Sequence, residues 1–80
     1  MTLDIELFAR MRELVGRDRL QIDIQHGRLD EVRREVVSRF PQTESLLTKS
    51  AIAVNECYVG DDVVLKSGDR IAILPPVSGG

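Results

Sequence analysis

Apolar and polar residues alternate from Thr2 to Phe8, with Leu3, Ile5 and Leu7 on one side and Thr2, Asp4, Glu6 and Phe8 on the other. A two-residue period of this kind predicts a strand with one buried face. Phe8 departs from the pattern by putting a large aromatic ring on the polar side. From Ala9 the period changes: Met11, Leu14 and Val15 fall at helical spacing, and Gly16 suits the left-handed residue that closes a helix. The pattern predicts a short helix over Ala9–Val15. Alternation returns over Arg19–Ile24, with Leu20, Ile22 and Ile24 inward, and "QHGR" follows as a turn. Leu29, Val32, Val36, Val37 and Phe40 then form one stripe along a helix. Asp30 and Glu31 in its first turn and Arg39 in its last complement the helix dipole, and Pro41 ends it. Its N-cap is poor, because Gly27 and Arg28 stand where serine or threonine would be expected.

The second half reads as short pieces. A helical turn is expected around Leu46 and Leu47, and "AIAVN" (51–55) is a strand. Asn55–Glu56 is a turn, and "CYV" is a short return strand. Ser67–Gly68–Asp69 is a tight turn, and "RIAIL" (70–74) is the last strand, with Ile71 and Ile73 inward. A hairpin, a crossover helix and further strands close in one economical way at this size. They predict an α+β architecture, a mixed sheet covered on one face by the long helix, with a right-handed crossover. The first and last strands then lie side by side and parallel in the middle, the ubiquitin-like β-grasp. Residues 1–74 make this domain, and 75–80 form an extended C-terminal tail.

Composition narrows the function. With 80 residues there is room for one core. The net charge of −2, with acids and bases interspersed, leaves no basic footprint for nucleic acid. No apolar run approaches the ~20 residues that span a bilayer, and "MTLDIELFAR" is not a signal peptide, so a cytoplasmic protein without membrane partners is expected. Cys57 is the single cysteine, which excludes an internal disulfide and a cysteine metal cluster. It reads as a packed or half-exposed thiol, dispensable for chemistry. His26 sits in a turn, Asp61–Asp62 beside Gly60 mark another, and no bound metal or cofactor is expected. The body of the chain carries no catalytic constellation.

The tail "PPVSGG" reads differently. Pro75, Pro76 and Val77 favour an extended path, Ser78 follows, and Gly79 and Gly80 have no Cβ, so a narrow channel can close on their backbone. Six residues at ~3.3 Å each project roughly 20 Å. A carboxylate on such a spacer is inert until another enzyme makes its oxygen a leaving group, so the terminus is expected to be another enzyme's substrate. Phe8 and Leu74 are expected to lie together where the tail leaves, as apolar anchors for a partner.

These segments resemble a known family along essentially the whole chain. "LFARMRELVG" (7–16), "AVN" (53–55), "LKSGDRIAILPPVSGG" (65–80) and the helix start near Leu29 are similar to the small subunit of molybdopterin synthase. The resemblance implies that Gly80 is adenylated by a ubiquitin-activating-like adenylyltransferase using ATP and magnesium, then converted to a thiocarboxylate by a sulfur donor enzyme. It implies further that Pro75–Gly79 enter a channel in the synthase large subunit, within a heterotetramer. There Gly80 gives its sulfur to cyclic pyranopterin phosphate, which becomes the dithiolene that later holds molybdenum. Catalytic side chains would lie on the large subunit. A terminal Gly-Gly alone also fits a sulfur carrier for thiamine, cysteine or tRNA thiolation, and the fold alone fits a non-covalent interaction module.

Overall fold

The computed structural model describes residues 1–76. Strand β1 (Thr2–Leu7) is followed by helix α1 (Ala9–Val15), strand β2 (Arg19–Asp23) and the long helix α2 (Leu29–Arg39). A 3-10 turn (Pro41–Thr43) leads into helix α3 (Glu44–Lys49). Strands β3 (Ala51–Val54), β4 (Cys57–Tyr58) and β5 (Arg70–Leu74) complete the fold. The sheet order is β2-β1-β5-β3-β4. β1 and β5 are parallel neighbours in register Asp4 with Arg70 through Leu7 with Ile73, and the remaining pairs are antiparallel. This is the mixed sheet that the hydrophobic pattern predicts, with the first and last strands side by side.

Alternation decides which face is buried. Leu3, Ile5 and Leu7 of β1, Leu20 and Ile22 of β2, Ile52 of β3, and Ile71 and Ile73 of β5 share one core with Leu29, Val32 and Val36 of α2. Burying each such side chain contributes roughly 1.5–3 kcal/mol, so the helix-covered face supplies most of the stability. Thr43 is the one buried polar residue among those described, and its hydroxyl donates to the Phe40 carbonyl at 2.7 Å. The sequence pattern left Leu65 in a turn. It is fully buried in that core, because the irregular segment before β5 passes beneath the loop that opens α2.

That loop also answers the missing cap. Arg28 stands at the N-cap with no acceptor to offer, so the forward half of a capping box is absent. The Glu31 carboxylate supplies the reverse half and more. It accepts from the backbone N–H of Arg28 at 3.0 Å, of His26 at 3.0 Å and of Gln25 at 3.2 Å. Partial desolvation pushes the Glu31 carboxyl up, but the three N–H donors together outweigh it and hold it below its ordinary value. Gly27 within this loop has φ +69, and a Cβ there would stand 2.6 Å from the Leu65 carbonyl oxygen. The same close approach lets the Gly27 carbonyl accept from the Leu65 N–H at 2.8 Å.

A second tie anchors the start of β5. Asn55 and Glu56 take φ values of +50 and +72, the left-handed pair that a tight hairpin between β3 and β4 needs. The Asn55 N–H donates to the Arg70 carbonyl at 2.8 Å, and its side-chain oxygen accepts from the Arg70 N–H at 3.1 Å. Its amide nitrogen donates to Asp69 at 3.0 Å, while Asp69 also accepts from the Lys66 N–H at 2.8 Å. The Lys66 N–H foremost, then Asn55, holds the Asp69 carboxyl below its ordinary value.

Two outcomes follow from these loops. Gly16, with φ +87, has nothing within 4 Å of its would-be Cβ. Gly16→Ala should therefore cost only the left-handed penalty of roughly 1–2 kcal/mol. Gly27→Ala adds a backbone clash and should cost clearly more in urea unfolding; equal losses would overturn this account. A carboxylate with a depressed value stabilises the fold above its unfolded value, and that stability disappears as pH falls through the folded one. Glu31→Gln should thus be less stable than the parent at pH 7, with the gap closing below about pH 4. A gap of constant size across that range would show that the charge is not what matters.

Candidate functional site

The face of the sheet away from α2 carries no covering element among the described residues. The register sets its composition row by row. Ala53 of β3 stands opposite Ala72 of β5 on one side and Tyr58 of β4 on the other, and Ala72 in turn stands opposite Glu6 of β1. Two alanines therefore floor a shallow groove, and Tyr58 walls it along the sheet edge. The groove encloses about 320 Å³, with Phe8 and Leu74 at one end and Glu6, Glu56 and Arg70 around the rest of its rim.

Phe8 reaches this face because of what happens to the backbone on either side. The strand alternation continues through Phe8, which keeps extended geometry at φ −128 and ψ 156. Pairing nevertheless stops at Leu7, because Ala9 turns left-handed, with φ +50, and starts α1. Phe8 is left 40% exposed beyond the end of β1. Leu74 is half-buried at the end of β5, across from Ala51, one step beyond the pair Leu7 with Ile73. The two residues are thus brought together at the C-terminal ends of adjacent parallel strands, as their pattern anticipates. Pro75, half-buried, and Pro76, exposed, follow at that end. Val77, Ser78, Gly79 and Gly80 lie outside the described residues.

Tyr58 was not legible as part of this surface. It is 76% exposed, yet "CYV" read alone gives no reason to place it beside Phe8. The signal is its register against Ala53, a pairing that no local pattern contains. Val64, also largely exposed, precedes the buried Leu65.

The remaining candidates are dispersed. Cys57 is exposed on the edge strand, opposite Val54. Val54 pairs with Ile71 near the start of β5, so the thiol sits away from the end where the strand exits. His26 lies in the loop before α2 and donates its backbone N–H to Glu31. Asp61 forms an ion pair with Arg33 at 3.0 Å. Among the described residues no group of histidine, cysteine, aspartate and glutamate could hold a metal ion, and no helix is long and apolar enough to cross a membrane. What the geometry offers is an apolar docking groove beside the place where β5 runs into Pro75 and Pro76.

Comparison with known proteins gives this arrangement a family. The model of the ThiS family matches residues 5–80. The chain belongs to the ThiS family. Among curated relatives, the molybdopterin synthase sulfur carrier subunit of Dictyostelium discoideum is 41% identical, covering 95% of this chain and 93% of its own length. In a solved complex of subunits 1 and 2 of the molybdopterin-converting factor from Helicobacter pylori, one chain superimposes with a TM-score of 0.73. It is 27% identical and is covered, like this chain, over 100% of its length. SAMP1 from Haloferax volcanii superimposes with a TM-score of 0.90 over 100% of both chains at 22% identity, which establishes the shared β-grasp fold. This ThiS-family fold thus has the architecture predicted from its hydrophobic pattern.

The groove and the core should separate cleanly by mutation. Phe8→Ala and Tyr58→Ala remove exposed rings and should cost about 1 kcal/mol or less in chemical unfolding. Ile73→Ala, fully buried on the opposite face of the same sheet, should cost roughly 2–5 kcal/mol. A Phe8→Ala variant as unstable as Ile73→Ala would make Phe8 a core residue and remove it from the docking surface.

Proposed function

We propose that this chain is the sulfur carrier of molybdenum cofactor biosynthesis, the sulfur-donating small subunit of molybdopterin synthase. The observation that carries this reading is the family match, which extends to residue 80, alongside full-length relatives that bear the name of that subunit. The Helicobacter pylori complex supports a large-subunit partner.

Gly80 is the working residue in this reading. Its carboxylate oxygen is a poor leaving group, so an adenylyltransferase first joins it to AMP from ATP and magnesium. A sulfur donor enzyme then replaces the activated oxygen, and the product is a thiocarboxylate. Its sulfur is a strong nucleophile held on a side-chain-free end, and the large subunit supplies the acids and bases that transfer it to cyclic pyranopterin phosphate. Each loaded chain carries one sulfur, so a dithiolene consumes two. Pro75 to Gly79 act as the spacer in the partner's channel, and Phe8, Leu74 and Tyr58 seat the domain so that the spacer enters in register. Reaction requires the sulfur within ~3–3.5 Å of its target, which makes the length of the spacer a catalytic parameter. The reading assigns the chemistry to the cytoplasm, where ATP and the activating enzyme are found.

The test is reconstitution with the activating enzyme, ATP, a sulfur donor and the large subunit. Intact mass should show one oxygen of the parent chain replaced by sulfur. Deleting Gly80, which shortens the reach by ~3.3 Å, adding alanine after it, or changing Gly79→Val should abolish loading or delivery while the unfolding midpoint stays put. Phe8→Ala should weaken binding to the large subunit by about tenfold or more, since buried anchors commonly carry ~2 kcal/mol. Cys57→Ser and His26→Ala should remain active. A chain extended past Gly80 that still made molybdopterin, with no protease trimming it, would overturn the reading.

A further inference from the structure

An activated carboxyl on a tether is an electrophile, and it can react with any nucleophile within the tether's reach. Acyl transfer to nitrogen needs an amine, and arginine is a poor acceptor because its guanidinium stays charged. The chain has two lysines, Lys49 and Lys66, and the amine of Met1. Met1 donates its N-terminal amine to the Ile24 carbonyl at 2.7 Å, beside the start of β1. Lys66 belongs to the turn before β5, where the Gly68 N–H approaches the Thr2 carbonyl at 3.5 Å. Both therefore lie at the end of the sheet opposite to Leu74.

Lys49 is at the other end. It closes α3 two residues before Ala51, and Ala51 pairs with Leu74, the last residue of β5. Two Cα steps and one inter-strand spacing put its Cα within about 12 Å of that of Leu74. The six residues after Leu74 span up to roughly 20 Å, so Gly80 can come back to meet this side chain. Lys49 is exposed and forms no ion pair with another described residue.

We infer that Lys49 is an internal acceptor for the activated C-terminal acyl group, a self-modification site used when adenylation outruns sulfur supply. This rests on the adenylation of Gly80 proposed above. The Lys49 amine attacks the Gly80 acyl carbon and an amide C–N bond forms. The bond from that carbon to the adenylate oxygen breaks, AMP leaves with the electron pair, and the nitrogen gives its proton to water. The product is a lasso closed by an isopeptide bond, with neither a free carboxylate to load nor a free tail to enter a channel. The tether makes this reaction intramolecular at an effective concentration of about millimolar, well above that of an amine on another copy in dilute solution.

The experiment incubates the full chain with its adenylyltransferase, ATP and magnesium, without a sulfur donor, and reads intact mass. A parallel arm contains hydroxylamine, which traps the adenylate as a hydroxamate. The expected product is a chain lighter by one water, stable to thiols, with fragmentation placing the new amide on Lys49 and a yield independent of chain dilution. Lys49→Arg should lower that yield by about tenfold or more, and Lys66→Arg should leave it unchanged. Hydroxamate without the lighter species, or the lighter species persisting in Lys49→Arg, overturns the inference while leaving adenylation intact. A thiol-sensitive product would place the acyl group on Cys57 and also overturn it. Absence of the hydroxamate would overturn the adenylation reading and this inference with it.

Discussion

The parallel pairing of β1 with β5 joins Asp4 to Arg70 and Leu7 to Ile73, the first strand of the domain to the last. A contact of such long sequence separation gives nothing back until the chain between has been ordered, so it is the costliest pairing in the molecule to close. Two features offset that cost. The inward residues of both strands bury completely against α2, and the Asn55–Asp69 tie fixes the entry of β5 before its ladder begins. Parallel strands also run the same way, so their C-terminal ends coincide. Phe8 leaves β1 and Pro75 leaves β5 at one end of the sheet because of this pairing. A docking residue and a tail exit come together with no further device.

The sheet is asymmetric in what it asks of its two faces. On the α2 side every inward position of β1 and β5 is a large aliphatic residue at or below 1% exposure. On the other side Ala53 and Ala72 leave a floor without bulk, between Tyr58 on one flank and Glu6 on the other. Small residues there contribute little to folding, and they cost little when a partner covers them. A groove built this way can change its rim without disturbing the core, so affinity and stability are set by different residues of the same strands.

Much of this was legible in the sequence, for reasons that vary by element. β1, β2 and β5 announce themselves by alternation, and α2 by its stripe, since burial on one face imposes a period on the residues themselves. Phe8 and Leu74 were legible as apolar residues on the polar side of that same period. The tail could be read by composition, because two glycines after two prolines have no role in a core. Leu65 and Tyr58 could not be read, because each owes its place to a partner distant in sequence, the Gly27 loop in one case and the β3 register in the other. Glu31 was visible as a helix-dipole residue, but its three-fold acceptance depends on a loop path that only Gly27 permits. Local pattern predicts periodic elements well and irregular segments poorly, and the irregular segments here are where long-range contacts decide the backbone.

The backbone strain in the described residues falls beside the groove. Three non-glycine residues take left-handed φ: Ala9, Asn55 and Glu56. Asn55 is compensated, because its side chain makes the hydrogen bonds that hold β5. Glu56 occupies the hairpin position where glycine is ordinarily preferred, and Ala9 turns left-handed immediately after a strand with no glycine to ease it. Each costs on the order of 1 kcal/mol in a domain whose whole margin is about 5–15 kcal/mol. Ala9 ends the β1 ladder so that Phe8 stands beyond it at one end of the groove. Glu56 closes the hairpin that returns Tyr58 opposite Ala53, and its own side chain joins the rim. Glycine at either place would relieve the strain and loosen the turn that sets a wall of the groove. Stability is thus spent at the two turns that shape the open face, while the covered face holds the fold.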